Sequence, residues 1–228
     1  MLNIATPHQL ARLLEVSARR LYAVCDYADA YYQELVLSDP AKPDKKPRMV
    51  ESPKCQMRSL QQCLYHRVLA LRLDRSPYSH GGVPGRNILS NARPHVGQRF
   101  LFTTDIANFY PSVHWTRVLK LFAALNCSEP VARICTRICT YKNHLSQGLL
   151  TSPILADQLM RPVDERIGSA CQKLGAVYTR YVDDLAVSAP FDLQESGVPG
   201  LVYASSARTG LAPTLISTSS GQSIKRPL

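Results

Sequence analysis

The sequence predicts an α+β protein in which an antiparallel sheet packs on helices, and three observations predict it. Ala176 to Arg180 and Leu185 to Ser188 are strand-like runs joined by Tyr181-Val182-Asp183-Asp184, the spacing of a tight hairpin with two carboxylates at its tip. Phe100 to Thr104 is another apolar, β-prone run, and it ends on a single acid, Asp105. Around these runs, apolar residues recur at steps of three and four: Met57, Leu60, Leu64, Val68 and Leu71; Trp115, Val118, Leu119, Phe122 and Leu125; Leu155, Leu159, Val163 and Ile167. That period belongs to helices with one buried face.

The elements follow in order. Leu10, Leu13 and Leu14 lie at helical spacing after Thr6, a capping residue, and Ser17 starts a second helix through Leu21 and Val24. Ser38 to Arg48 is rich in Pro, Asp and Lys and reads as an exposed loop or hairpin. The helix from Met57 to Leu71 buries its apolar stripe and turns Arg58, His66 and Arg72 to the other face. Between Tyr78 and His95, glycines and prolines suppress regular structure; Arg86, Asn91, Arg93 and His95 there suit contacts with phosphate and sugar, and equally a solvated loop. The Trp115 helix packs under the sheet. Gln147-Gly148 forms a turn that brings backbone close to a flat partner such as a base pair, and Ser152 and Pro153 suit the N-cap and first turn of the next helix. From Ser205 to Ser223, nine of nineteen residues are Ser or Thr, a composition that buries little and predicts a flexible tail.

Composition bounds the function. The 228 residues are 45% hydrophobic, enough to bury a core in one domain or two small subdomains. Lys and Arg number 27 against 17 Asp and Glu, a net charge of +10 that favours phosphate backbones through counterion release, and acidic membranes too. There is no run of eighteen apolar residues and no signal-peptide pattern, so a soluble cytoplasmic protein without a membrane partner is expected. The seven cysteines include no CxxC pair and read as reduced, largely buried thiols. Cys135 and Cys139, with His144 beyond, fit a zinc site or core packing, and core packing is the reading adopted.

Asp-Asp in a turn is by itself a solvated loop, and a lone acid after a strand only ends it. Together, Asp105 on one strand and Asp183-Asp184 on a neighbouring hairpin form a set of hard oxygen donors. Such a set suits two Mg²⁺ ions about 3.5–4 Å apart, which clamp both oxygens in phosphoryl displacement.

These motifs resemble the reverse transcriptases, most closely the bacterial retron-type and group II intron-like branch. Asp105 to Ser112 resembles the first palm motif, Gln147 to Pro153 the second and Tyr181 to Asp184 the third, in family order. Tyr78 to Ile88 with Asn91-Ala-Arg-Pro-His95 is similar to the segment before the palm, and Lys45-Lys46-Pro47-Arg48 with Pro53 and Leu60-Gln61 resembles the fingers. Viral RNA polymerases share the acids but more usually carry Gly before Asp-Asp. The resemblance implies a polymerase right-hand fold divided into a helical lead-in at 1–35, fingers at 36–98, a palm at 99–192 and a divergent tail at 193–228. Beyond Asp192 it fails: Thr209 to Thr214 is only faintly similar to the next family element, Leu215 to Ser219 lacks its lysine, and a C-terminally truncated enzyme without a thumb is expected.

The resemblance also implies roles. Asp105 and Asp183 would ligate both Mg²⁺ ions, for which Mn²⁺ is a substitute, Asp184 the primer-side ion, and the Ile106 carbonyl the nucleotide-side ion. Lys46 and Arg48 would meet the triphosphate, with a solvated charge run as the alternative. Tyr110 would clash with a ribose 2′-hydroxyl and so select dNTPs, with core packing as its alternative. Gln147 and Gly148 would touch the nascent pair, Tyr181 the primer end, and Arg86 and Asn91 the primer or template. The implied activity is RNA-directed DNA synthesis on a DNA or RNA primer, with a structured noncoding RNA as partner and a role in antiphage defence. A catalytically impaired nucleic-acid-binding remnant and a group II intron maturase-like fragment are the alternatives.

Overall fold

Strands form where alternation and turn chemistry place them, and helices where apolar residues recur. A computed structural model describes residues 1–38, 47–207 and 218–220; Lys45, Lys46 and the Thr209 to Thr214 stretch lie outside the described residues. Helices α1 (Pro7–Leu13) and α2 (Ala18–Asp26) each begin on a capping hydroxyl: Thr6 Oγ1 accepts from the Gln9 N–H at 3.1 Å and Ser17 Oγ from the Arg20 N–H at 3.2 Å. Strands β1 (Tyr32–Leu37) and β2 (Arg48–Pro53) pair antiparallel, from Tyr32 opposite Pro53 to Leu37 opposite Arg48.

Helix α3 (Cys55–Cys63) runs through a π turn over Leu64–Leu69 into the short α4 (Ala70–Arg72). A π turn holds more residues than an α turn, so it shifts the phase of the apolar stripe. Leu69 is therefore buried, while Leu71, expected in the core, is 75% exposed. Another departure is α5 (Ile88–Ala92), in a stretch expected to be irregular. Asn87 and Ser90 make a reciprocal capping box there: the Ser90 N–H donates to Asn87 Oδ1 at 3.0 Å and the Asn87 N–H to Ser90 Oγ at 2.9 Å.

Strand β3 (Phe100–Asp105) leads into α6 (Phe109–Ser112), α7 (Trp115–Ala124) and α8 (Glu129–Cys139). The two-residue strands β4 (Thr140–Tyr141) and β5 (His144–Leu145) precede the long α9 (Ser152–Lys173), then β6 (Val177–Tyr181) and β7 (Asp184–Ala189). Helix α10 (Val198–Ala207) and strand β8 (Thr218–Ser220) lie in the stretch expected to be a flexible tail. Val198 and Val202 are buried, which supplies the apolar anchor that a count of Ser and Thr overlooks.

The chain forms two units that interleave along the sequence, whereas the motifs suggest consecutive stretches. The first, residues 1–74 and 113–156, packs α1, α2, α3 and α8 around Leu10, Leu21, Met57, Leu64, Val131 and Ile138. Each such side chain contributes about 1.5–3 kcal/mol on burial. Within this core Gln61 Nε2 donates to the Ile138 carbonyl and to the Tyr32 hydroxyl, both at 2.8 Å. The second unit, residues 75–112 and 157–228, holds an antiparallel sheet in the order β6-β7-β3-β8. Phe102, Tyr178, Leu185 and Val187 from the sheet and Val163, Ile167 and Cys171 from α9 are among its buried residues. No helix among the described residues is long and apolar enough to cross a membrane.

Candidate active site

The β6–β7 hairpin closes on the pair Tyr181 and Asp184, leaving Val182 and Asp183 as the turn. Val182 takes φ +60°, a left-handed conformation that a β-branched side chain adopts only when its surroundings impose it. Two neighbours do so. A segment from the loop after Ser76 lies along β6, with the Arg180 N–H donating to the Tyr78 carbonyl and the His80 N–H to the Arg180 carbonyl, both at 2.8 Å. This brings Gly81 under the turn so closely that a Cβ there would sit 2.4 Å from Val182 Cγ2 and 2.6 Å from Val182 N. On the other side, Arg180 Nη1 donates to the Val182 carbonyl at 2.9 Å.

Strand β3 delivers the remaining acid. Asp105 is the last residue paired with β7 and stands opposite Asp184, and the next N–H, of Ile106, donates to the Asp183 carbonyl at 3.1 Å. Opposed residues of an antiparallel pair share a face, so Asp105 and Asp184 are neighbours at one end of the sheet with Asp183 adjoining. The Asp184 carboxyl is held above the usual carboxylate range, first by burial and then by the charges of Asp183 and Asp105. Asp105 Oδ1 is buried and accepts no hydrogen bond among the described residues. An orphaned carboxylate oxygen beside like charges is a donor set that fits a hard divalent cation. Among the described residues no three Asp, Glu, His or Cys side chains close tightly enough to enclose an ion, so the acids are gathered without forming a cage.

Tyr110, on α6, is half-buried. Its phenol is pushed up to about 12, first by burial and then by the Asp183 charge, which puts the ring within electrostatic reach of the turn. Tyr181 is half-buried opposite Asp184. Arg86 has an internal task, donating through Nη1 to the Ser76 carbonyl at 2.8 Å and to those of Pro77 and Ser79. Asn91 lies on α5 with its Oδ1 buried and without a hydrogen bond among the described residues.

Arg48, Gln147 and Gly148 belong to the first unit. Arg48 opens β2, and Lys46 is outside the described residues. Gly148 has φ +108°, and a Cβ there would come within 2.5 Å of Val50 Cγ1 and 3.2 Å of the Glu51 carbonyl oxygen. The close approach that requires glycine is thus to β2, where the Glu51 N–H also donates to the Gln147 carbonyl at 3.2 Å. Ser152, expected to cap α9, is its first residue instead, and its hydroxyl donates to the Ser146 carbonyl at 2.6 Å.

Sequence reasoning missed the buried polar residues behind the hairpin. His95, offered above as a phosphate contact, is buried with Nδ1 2.6 Å from Ser188 Oγ and Nε2 2.7 Å from Thr179 Oγ1. Arg180 pairs with Asp157 at 2.7 Å and with Asp164 at 2.8 Å, all three buried. The available signal was Asp157 and Asp164, seven residues apart among apolar positions of one helix. Cys135 and Cys139 are buried in α8, and burial raises the Cys139 thiol to about 12.

Residues 40–202 match the family reverse transcriptase (RNA-dependent DNA polymerase). Over 182 residues the chain is 32% identical to the retron Ec86 reverse transcriptase of Escherichia coli, covering 80% of this chain and 56% of that protein. It is 35% identical over 162 residues to the retron Mx65 reverse transcriptase of Myxococcus xanthus, covering 62% of this chain and 37% of the relative. With the retron Se72 reverse transcriptase of Salmonella heidelberg the identity is 27% over 191 residues, 83% of this chain and 50% of the other. The chain therefore spans about half the length, or less, of these relatives.

Proposed function

The chain belongs to the reverse transcriptase family, and from that premise we propose that it adds dNTPs to a primer 3′-hydroxyl on an RNA template, by Mg²⁺-dependent nucleotidyl transfer of the retron type. The observation that carries this reading is the pairing of Asp105 with Asp184 beside Asp183 at one end of the sheet. In it the second unit's sheet and α9 serve as the palm, and the β1–β2 hairpin belongs to the fingers.

Asp105, Asp183, Asp184 and the Ile106 carbonyl would hold the ions. When bound, Mg²⁺ lowers the pKa of the attacking hydroxyl and offsets the charge that develops on the departing pyrophosphate. The residues of the chain bind and orient. Tyr110, whose phenol burial and the Asp183 charge push still further above its ordinary value, presents a ring that excludes a 2′-hydroxyl. Tyr181 supports the primer end, and Arg48, Lys46, Gln147 and Gly148 are assigned to the incoming nucleotide and nascent pair. Arg86 orders the loop that carries Gly81, so its contribution to template binding is indirect. Two relatives are named retron reverse transcriptases, which supports the retron type of the reading, and with it a structured noncoding RNA as template and primer and a role in defence against phage are proposed by family resemblance.

Primer extension on primed RNA with dNTPs and Mg²⁺ tests the reading. Asp183→Asn is expected to abolish extension and leave RNA binding within twofold of the parent; equal extension by both would refute the assignment. A second reading, a nucleic-acid-binding protein with impaired catalysis, is favoured by the lack of the family's lysine in Leu215 to Ser219 of the sequence. It predicts RNA binding by the parent without extension in either Mg²⁺ or Mn²⁺.

A further inference from the structure

Arg180 is 1% exposed, and every group around its guanidinium is accounted for by named atoms. Nε donates to Asp164 Oδ1 at 2.9 Å, and Nη2 donates to Asp164 Oδ2 at 2.8 Å and to Asp157 Oδ1 at 2.7 Å. The acids are fixed in turn: the Tyr178 hydroxyl donates to Asp164 Oδ1 at 2.8 Å, and the Ser76 N–H donates to Asp157 Oδ2 at 3.1 Å. Burial by itself would lower the Arg180 pKa, but the Asp164 and Asp157 charges and Tyr178 outweigh it and the group stays charged. The remaining arm, Nη1, reaches two residues ahead to the Val182 carbonyl.

Stability alone is a poor account of this arrangement. A buried ion triad usually stabilises a fold no better than apolar side chains of similar volume, because desolvation offsets the attraction. What the triad does supply is direction. A planar fork locked by three hydrogen bonds to Asp157 and Asp164 of α9, the latter held in turn by Tyr178, aims its remaining arm at the Val182 carbonyl. That point is the carbonyl of the residue held at φ +60°, between Tyr181 and the acid pair.

We propose that Arg180 is a positioning residue that ties the Val182 turn to α9 and so sets the placement of Asp183 and Asp184 against Asp105. The proposal rests on the polymerase reading for its consequence in catalysis, but not for its geometry. Lysine cannot reproduce the fork: a single ammonium that reaches Asp164 leaves the Val182 carbonyl without its donor.

The test compares parent, Arg180→Lys, and Arg180→Lys combined with Val182→Gly. In Arg180→Lys, amide exchange at 182–185 is expected to rise about tenfold while α9 and β3 amides are unchanged, a local loosening that general destabilisation would not give. Extension kcat is expected to fall about 10- to 100-fold with half-saturating Mg²⁺ raised several-fold, and KM for dNTP and RNA affinity held within twofold. Glycine takes φ +60° without steric cost, so the double variant is expected to recover most of kcat. Hairpin exchange in Arg180→Lys indistinguishable from the parent overturns the inference, whatever the activity. So does an unchanged kcat and Mg²⁺ dependence in an active enzyme. Loosened hairpin exchange in a variant of a parent that neither extends primers nor binds Mn²⁺ (followed by its electron paramagnetic resonance signal) sinks the polymerase reading and leaves the positioning role standing. Should Arg180→Lys fail to fold, Asp157→Asn serves, with a smaller shift in exchange at 182–185 expected and no shift overturning the proposal.

Discussion

Asp184 carries a charge that its surroundings disfavour. Its carboxyl sits above the ordinary range because of burial and of Asp183 and Asp105, so the folded state holds this proton more tightly than the unfolded chain does. Its contribution to stability is therefore lost as pH rises from the ordinary carboxylate pKa through the raised one. Asp184→Asn is expected to raise stability slightly at neutral pH in chelator, an effect kept small because much of the side chain is exposed to water, which screens it. The same change should eliminate extension; a lower Tm in the variant would contradict the repulsion. Tyr110 makes a second claim at this scale. On the role proposed for it, Tyr110→Ala should lower discrimination between dNTP and the matching ribonucleotide about tenfold or more, read as the ratio of kcat/KM values, because the substitution would remove the clash.

At the scale of elements, His95 joins the turn after α5 to both strands of the hairpin through Thr179 and Ser188. Burial, with His80 adding to it, lowers its pKa to about 4, so the folded protein keeps it neutral while the unfolded chain protonates near 6.5. A depressed histidine contributes stability that is fully present above the unfolded pKa and is lost as pH falls toward the folded one. The shift corresponds to at most about 3 kcal/mol. Urea midpoints measured from pH 7 to pH 4 should fall in the parent and flatten in His95→Gln. The small Asp184 effect has the opposite sign and cannot mask this.

Much at that scale was legible in the sequence because the signals are local. The tip of the hairpin, the acid ending β3, and the caps at Thr6 and Ser17 need only a few adjacent residues to specify them. Leu71 shows where periodicity stops: the stripe from Met57 keeps its spacing, but a π turn changes the phase, and nothing in the spacing announces it. Gly148 was read for its conformation correctly and for its partner incompletely, because the atoms it must avoid, those of Val50 and Glu51, are about a hundred residues away. Arg180 is the plainest case. A charged residue in a strand looks solvated until the acids of a helix more than fifteen positions earlier are known to face it.

At the scale of the whole molecule, charge and metal act through mass action. With a net charge of +10, RNA affinity should fall at least about tenfold between 50 and 200 mM salt, and a flat salt response would argue against backbone contacts. If the acids bind Mg²⁺ with millimolar affinity, 10 mM Mg²⁺ should raise Tm by about 2–4 °C over chelator, an increment absent in Asp105→Asn.

The segment that runs from Tyr78 to His80 has a meaning beyond the hairpin it supports. β6 is the outermost strand of its sheet, and an outermost strand displays unpaired backbone groups on which a foreign chain can add itself. Here Arg180, the fourth of its five residues, is already engaged on that margin by the protein's own loop. Substitutions that displace the loop, such as a side chain at Gly81, should uncover this margin and appear first as poor solubility of the expressed protein.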